Sequence, residues 1–204
     1  MVEDNTGGNW NKGHICNWTL THFYQEKDCR SLLDIGCGAG QLLAFAKESA
    51  GYKNVMGIDG HKGSVDNGWV GNIHLHDYEN DGIFKWQDNN EFDLGWCVSM
   101  AEHVEEDKLD NLMESFTHCK YIVFTGCVPG YPGYHHVNCK LDDYWIQQFK
   151  KIGYSIMPKL TKKMRKDNRL KMIKEPYWRK GPLKNTKTVR KGYLFHWGLL
   201  FSRD

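Results

Sequence analysis

From Ser31 onward, short apolar runs alternate with longer stretches whose apolar residues recur every three or four positions. "SLLDIG" reads as a buried strand and "AGQLLAFAKESA" as the helix after it. "NVMGID", "NIHLHD", "FDLGWCVS" and "KYIVFTG" read as four further strands. Between the last two, "VEEDKLDNLMESF" sets Val104, Leu109, Leu112, Met113 and Phe116 at helical spacing, with acids in its first turn. "LDDYWIQQFKKIG" repeats that pattern, with Leu141, Trp145, Ile146 and Phe149 on one face and Gly153 as the stop. "YSIMPKL" and "GYLFHWGLLFSR" are the last strand candidates. Strands alternating with helices predict an α/β fold: one domain over 1–204, with a mostly parallel sheet covered by helices on both faces. Residues 1–30, with Trp10, Trp18, Phe23 and Tyr24, read as a helical lead-in or lid, and 160–191 as an insertion before the final strand.

Composition narrows the class. The chain has 204 residues with 40% hydrophobic and 13% aromatic content, enough for a real core and against disorder. Its first residues, "MVEDNTGGNW", have neither the basic start nor the apolar run of a signal peptide. No apolar run approaches the roughly 20 residues that span a bilayer. A soluble, cytoplasmic protein is expected, with no membrane span. None of the seven cysteines forms a CxxC pair, which argues against a zinc knuckle and for free thiols in a reducing compartment.

Charge is unevenly placed. Residues 1–158 hold 12 Lys+Arg against 22 Asp+Glu, whereas 159–191 hold 14 against 2. That basic segment is either an anion-facing surface or a solvated insertion.

"LLDIGCGAG" carries the strongest chemical signal. An apolar strand runs into Gly36, Gly38 and Gly40, and a helix follows. Glycines at such a turn let a ligand approach the backbone closely. Asp59 ends the next strand, where an acid can bind both hydroxyls of a ribose. The spacing is GxGxG rather than the GxGxxG of nicotinamide binders. "LLDIGCGAGQLL" resembles the first motif of class I S-adenosylmethionine-dependent methyltransferases, and the resemblance runs from about Ser31 to Phe124. It implies a Rossmann-like, seven-stranded sheet and S-adenosyl-L-methionine as cofactor. By the same resemblance, Asp34 and the turn Gly36, Cys37, Gly38 and Gly40 face the methionine part of the cofactor. Asp59 and Gly60 take the ribose, Asp77 and Tyr78 in "LHDY" the adenine, and Ser99 completes the cofactor site from the fourth-strand motif "FDLGWCVSMAEHV".

"SMAEHV" follows the fourth strand, on the edge where ligands of such sheets bind. Its Glu102–His103 pair resembles the "EH" of ubiquinone-pathway O-methyltransferases and of terminal 2′-O-methyltransferases of small RNAs. In those families a fuller ExxEH pattern holds a divalent ion, and in the RNA enzymes a distal "HH" loop adds a histidine. Here Ser99 stands in place of the first Glu, and the distal pair is His135–His136 in "GYHHVNC". Carboxylate plus imidazole with open positions suits Mg²⁺, Mn²⁺ or Fe²⁺. Without a metal, a histidine of near-neutral pKa can act as the base. The plainer alternatives are a helix-capping His103, a Glu102 favoured by a helix dipole, and a loop role for Asn138.

A hydroxyl acceptor needs such help, so Glu102, His103 and His136 are the expected catalytic residues, with Glu102, His103, His135 and His136 as the candidate metal ligands. The run "HHVNCKLDDYWIQQFKKIGY" after a GxGxG core is similar to small methyltransferases of phages, large DNA viruses and bacterial sugar-modification clusters. That resemblance implies O-methylation of a sugar hydroxyl on a glycan or nucleotide sugar, in the host cytoplasm for a viral protein. Two other readings stay open. One is ribose 2′-O-methylation of RNA, with nucleic acid tracked by 159–191 and its Tyr177 and Trp178. The other is a non-catalytic, cofactor-binding subunit that activates a partner.

Overall fold

The computed structural model describes residues 12–87, 90–166, 170–174 and 197–204. Seven strands form the main sheet: β2 (Ser31–Ile35), β3 (Asn54–Asp59), β4 (Ile73–Leu75), β5 (Phe92–Cys97), β6 (Cys119–Phe124), β7 (Tyr154–Ile156) and β9 (Leu199–Arg203). Their order is β4-β3-β2-β5-β6-β9-β7. The pairings from β4 across to β6 are parallel, and β9 runs antiparallel to both its neighbours. A doubly wound α/β sheet is thus present, as the alternating pattern predicted.

Alternation along each strand supplies two cores, because successive side chains point to opposite faces. Leu32, Val55, Leu94, Trp96, Val123 and Leu200 join one apolar cluster, together with Leu20 and Phe23 of α1 (Asn17–Glu26) and Leu42, Leu43 and Phe45 of α2 (Gln41–Phe45). Leu33, Ile35, Met56, Ile58, Ile122, Phe124 and Phe201 join the other. That face is covered by α4 (Leu109–Phe116) and α5 (Asp142–Lys151) through Leu112, Met113, Phe116, Trp145 and Phe149. A short α3 (Lys62–Asp66) follows β3. α5 carries Asp142 and Asp143 in its first turn and Lys150 and Lys151 in its last, matching its dipole. Gly153 follows in the left-handed region at φ +83°.

Several elements differ from the sequence expectation. The lead-in is not wholly helical: Lys12–Cys16 form strand β1, paired antiparallel with β8 (Leu170–Lys174) apart from the main sheet. Such a pairing joins segments over 150 residues apart, which no local periodicity reveals. "YSIMPKL" is a strand only through Ile156; Pro158 then opens helix α6 (Pro158–Arg165), where its fixed φ and missing N–H cost nothing. The first residues assigned to the insertion are therefore integral to the fold: Thr161 and Met164 are buried, and Leu200 N donates to Thr161 Oγ1 at 3.0 Å. Leu141 precedes α5 as an exposed residue rather than sharing its buried face. Residues 175–191 of the basic segment, with Tyr177 and Trp178, and the 192–196 part of the final strand candidate lie outside the described residues, as do residues 1–11 of the lead-in.

The β2–β5 seam is tied at its base by one carboxylate. Asp93 Oδ2 accepts from Arg30 N (2.7 Å), Ser31 N (3.0 Å) and Ser31 Oγ (2.9 Å). Asp93→Ala leaves two backbone donors without this partner and should destabilise the fold by about 1–3 kcal/mol. Denaturant unfolding would show it as a lower midpoint at unchanged slope.

Candidate active site

Every position assigned to the cofactor falls at the carboxyl ends of β2 to β5, the edge where open α/β sheets bind ligands. Gly36, Gly38 and Gly40 all have positive φ (76°, 54° and 79°), so the turn needs glycine for conformation. Gly36 also needs it for space: a Cβ there would collide with the Met100 side chain. The glycine turn and the "SMAEH" segment are thereby packed together.

Asp59 closes the turn from the next strand. Its Oδ2 accepts from Gly38 N at 2.8 Å, and its Oδ1 accepts from His61 N (2.9 Å) and Ser64 Oγ (2.8 Å). A carboxylate offers about four acceptor positions, so about one remains for a ligand hydroxyl. The expectation that Asp59 grips both ribose hydroxyls is narrowed accordingly. Asp34 is buried at the end of β2, and burial, with the nearby Asp59 charge adding, raises its carboxyl well above the usual range. Two carboxyl groups meeting beside open backbone favour a cationic ligand. Gly60 lies against the backbone of Asp77. Asp77 itself accepts from Glu79 N (3.0 Å) and Asn80 Nδ2 (2.7 Å), which holds a turn.

Two side chains assigned to the cofactor do other work. The Tyr78 ring is buried in the core and its hydroxyl bonds Ser115 Oγ at 2.8 Å, so only its backbone belongs to the edge. Cys37 points its thiol into the other core, against Gly57. Burial raises it well above its usual pKa. Both positions lie at the sheet's carboxyl edge but carry core side chains, a distinction that a motif does not make.

On the acceptor side, Ser99 takes a left-handed φ of 59°, held by Thr125 Oγ1, which accepts its N–H at 2.9 Å. A single 3₁₀ turn, Ala101–His103, then presents the "EH" pair. The loop between β6 and α5 is fastened to this turn by its backbone. Val137 N and Asn138 N both donate to the carbonyl oxygen of Glu102, at 3.0 and 3.1 Å. Asn138 thus has the loop role considered for it, and Thr125 is a positioning residue that the sequence pattern did not single out.

The result is a compact group: ligand atoms of Glu102, His103 and His136 lie within 4.8 Å of one another. The His103 and His136 rings meet edge to face at 5.1 Å. His103 Nδ1 donates to the His135 carbonyl and His136 Nδ1 to the Tyr131 carbonyl, each at 3.2 Å. In the neutral form, each ring therefore keeps its lone pair on Nε2. Burial, with the His136 neighbour adding, holds His103 below its ordinary pKa, so it is a neutral base at pH 7. His135 is not in this group. It is exposed and turns to Glu79 (3.4 Å), in a separate cluster with Glu105. The adjacent side chain of a bent loop had to face elsewhere, which corrects His135 as a candidate ligand beside Glu102.

Glu102 is wholly buried, and neither carboxyl oxygen has a well-formed hydrogen bond. Burial raises its pKa to about 7, opposed by its own backbone N–H and the nearby Ser99 hydroxyl. The Asn138 amide, also fully buried, is likewise without partners for its nitrogen and oxygen. Unpaired buried polar groups of this kind cluster where a ligand or ion belongs.

Comparisons with known proteins agree with this geometry. Residues 32–120 match the family model described as a methyltransferase domain. Magnesium protoporphyrin IX methyltransferase from Synechocystis PCC 6803, solved with bound SAH, superposes with a TM-score of 0.56 at 13% identity, covering 92% of this chain and 81% of that one. The methyltransferase domain of bacterial CtHen1 gives 0.52 at 13% identity over 68% and 85%. The small RNA methyltransferase HEN1 gives 0.52 at 20% identity, over 68% of this chain and 21% of that one. No curated protein matches the chain. The fold is that of the class I methyltransferases. Within that fold residues 32–120 match a methyltransferase domain, and the glycine turn with Asp34 and Asp59 fits a cationic cofactor such as S-adenosylmethionine.

Glu102 gives a testable sign. Its folded pKa of about 7 lies above the ordinary 4.5, so the folded chain holds a proton that the unfolded chain has lost. Stability should therefore fall as pH rises through that window, by about 3 kcal/mol for this one group. Glu102→Gln, which never ionises, should melt higher than the metal-free parent at pH 8 and near it at pH 5. Scanning calorimetry at the two pH values checks this.

Proposed function

We propose that this protein transfers a methyl group to a hydroxyl of a sugar, on a glycan or a nucleotide sugar. The observation that carries the reading is the buried, unpaired Glu102 carboxyl grouped with His103 and His136. Bound at the glycine turn, S-adenosylmethionine would supply an electrophilic methyl and needs no covalent help from the protein. The protein's tasks are to place the acceptor oxygen and to remove its proton.

Neutral His103 is suited to take that proton, and Glu102, poised near neutrality, to hold the resulting charge or orient the hydroxyl. The same three side chains fit a divalent ion such as Mg²⁺ or Mn²⁺, whose Lewis acidity would lower the pKa of a bound hydroxyl. Tyr131 stands exposed with its ring stacked toward His136, and Trp197 packs edge-on against Tyr131 at 4.8 Å. Such rings can cover the apolar face of a sugar.

A second reading places the hydroxyl on an RNA ribose. Lys159, Lys162 and Lys163 are exposed along α6 and Lys166 just after it, at the start of the basic segment, and the fold superposes on the small RNA methyltransferase HEN1. Phosphate-tracking cations of this kind would weaken sharply with salt.

Methyl-labelled cofactor incubated with sugar, glycan and RNA panels, with and without EDTA, separates the readings. Label on sugars or glycans is expected, and label on RNA alone would sink the sugar assignment. His103→Ala and His136→Ala should each lower kcat by about 10²–10⁴-fold, the usual worth of a positioned acid or base. His135→Ala should stay near the parent rate.

A further inference from the structure

The loop that supplies His136 also brings two thiols together. It leaves β6 at Cys127 and returns at Cys139, and Lys140 N donates to the Cys127 carbonyl at 2.8 Å to close it. The Sγ atoms of Cys127 and Cys139 and a ring nitrogen of His136 all lie within 4.8 Å of one another. We propose that Cys127, His136 and Cys139 form a binding site for a thiophilic divalent ion, Zn²⁺ by chemistry, with a fourth position open.

Four observations carry this. First, tetrahedral zinc with Zn–S near 2.3 Å sets its donor atoms roughly 3.5–4 Å apart, within the spread seen here. Second, the donors read C-x₈-H-x₂-C along the chain, and the two-residue spacing of His136 and Cys139 is a local chelate of the kind zinc sites use. Third, His136 Nδ1 is already bonded to the Tyr131 carbonyl, the outer contact that orients a metal-binding imidazole and leaves Nε2 for the ion. Gly133 is packed against that ring so closely that any Cβ would collide with it. Fourth, the fully buried Asn138 amide between His136 and Cys139 has no partner for either polar atom. An isolated thiol pair would not explain it.

Softness decides the choice of ion. Mg²⁺ and Mn²⁺ take oxygen ligands, and the position where a second carboxylate would serve them is Ser99. Two sulfurs and an imidazole select zinc-like ions instead. On binding, each thiol releases its proton to solvent and forms a metal–sulfur bond. Two thiolates, one neutral imidazole and one dication sum to zero charge, the state that a partly buried site tolerates best. Burial pushes both thiols up, with the Glu102 charge adding a smaller part, in keeping with a carboxyl near the same centre. His136 belongs to both groups, so the open position would adjoin Glu102 and His103. Only that consequence for methyl transfer rests on the acceptor reading above; the ion site does not.

The test uses the full chain, reduced and stripped of metal, titrated with Co²⁺ and then Zn²⁺. One Co²⁺ per chain is expected, with sulfur-to-cobalt charge-transfer absorption and tetrahedral ligand-field bands, all bleached by Zn²⁺. Cys127→Ser and Cys139→Ser should remove the charge-transfer band and weaken Co²⁺ binding beyond the roughly 10–100-fold typical of outer contacts. Glu102→Gln should keep the band. Unchanged affinity for S-adenosylhomocysteine shows that each variant is folded. In the parent chain, Zn²⁺ should protect Cys127 and Cys139 from alkylation, read peptide by peptide, which needs no variant at all. Absence of Co²⁺ uptake or of thiol protection overturns the proposal. So does Co²⁺ bound without a sulfur band and lost in Glu102→Gln, which would assign the ion to Glu102, His103 and His136. Methyl transfer by a chain that binds no metal would overturn the zinc site and leave the sugar reading standing.

Discussion

Two backbone hydrogen bonds, from Val137 and Asn138 to the carbonyl of Glu102, join the halves of the acceptor side. One half follows β5 and the other follows β6, and each buries residues of its own, Ala101 and Val104 in the first and Cys127 in the second. Together they place a carboxyl group out of water beside two imidazoles. The arrangement is paid for by the sheet beneath, whose parallel pairing of β5 with β6 fixes both strand ends in register. Glu102 thus stands in two places at once, its main chain in the clasp and its side chain in the buried group with His103 and His136. Substitutions that preserve the backbone therefore separate the two roles.

The cofactor side rests on a comparable economy. Asp59 is the only carboxylate described that ties the glycine turn to the following helix, through Gly38, His61 and Ser64. Gly36 abuts Met100, one residue past the strained Ser99. Cofactor turn and acceptor turn are therefore in van der Waals contact rather than independent loops. A close-packed junction of this kind transmits small displacements instead of absorbing them.

The fold was legible because its signals are local. Apolar strands followed by helical periodicity located every strand of the main sheet, and glycines before a helix marked the turn at the carboxyl end of β2. What stayed hidden was non-local or directional. The β1–β8 pairing depends on segments far apart in sequence. Which of two adjacent histidines faces Glu102 depends on the path of a Gly- and Pro-rich loop, and spacing is silent on that. Tyr78 and Cys37 stand at positions where backbone and side chain serve different masters, ligand edge and core. The Cys127–Cys139 approach is invisible to CxxC spacing, because this loop closes over a longer span.

The Asp59 clasp has one more consequence. A turn already held by internal hydrogen bonds loses little freedom when a ligand arrives, so its contacts pass almost undiminished into affinity. Only the charge of the Asp34–Asp59 pair would tell a cationic cofactor from its neutral by-product; the backbone of the glycine turn would meet groups that the two share. Interactions of that kind hold reactant and spent cofactor alike and do not lower the barrier between them. A preformed turn of this design makes the enzyme prone to retain its own by-product, so turnover in the cell would depend on how fast that by-product is cleared.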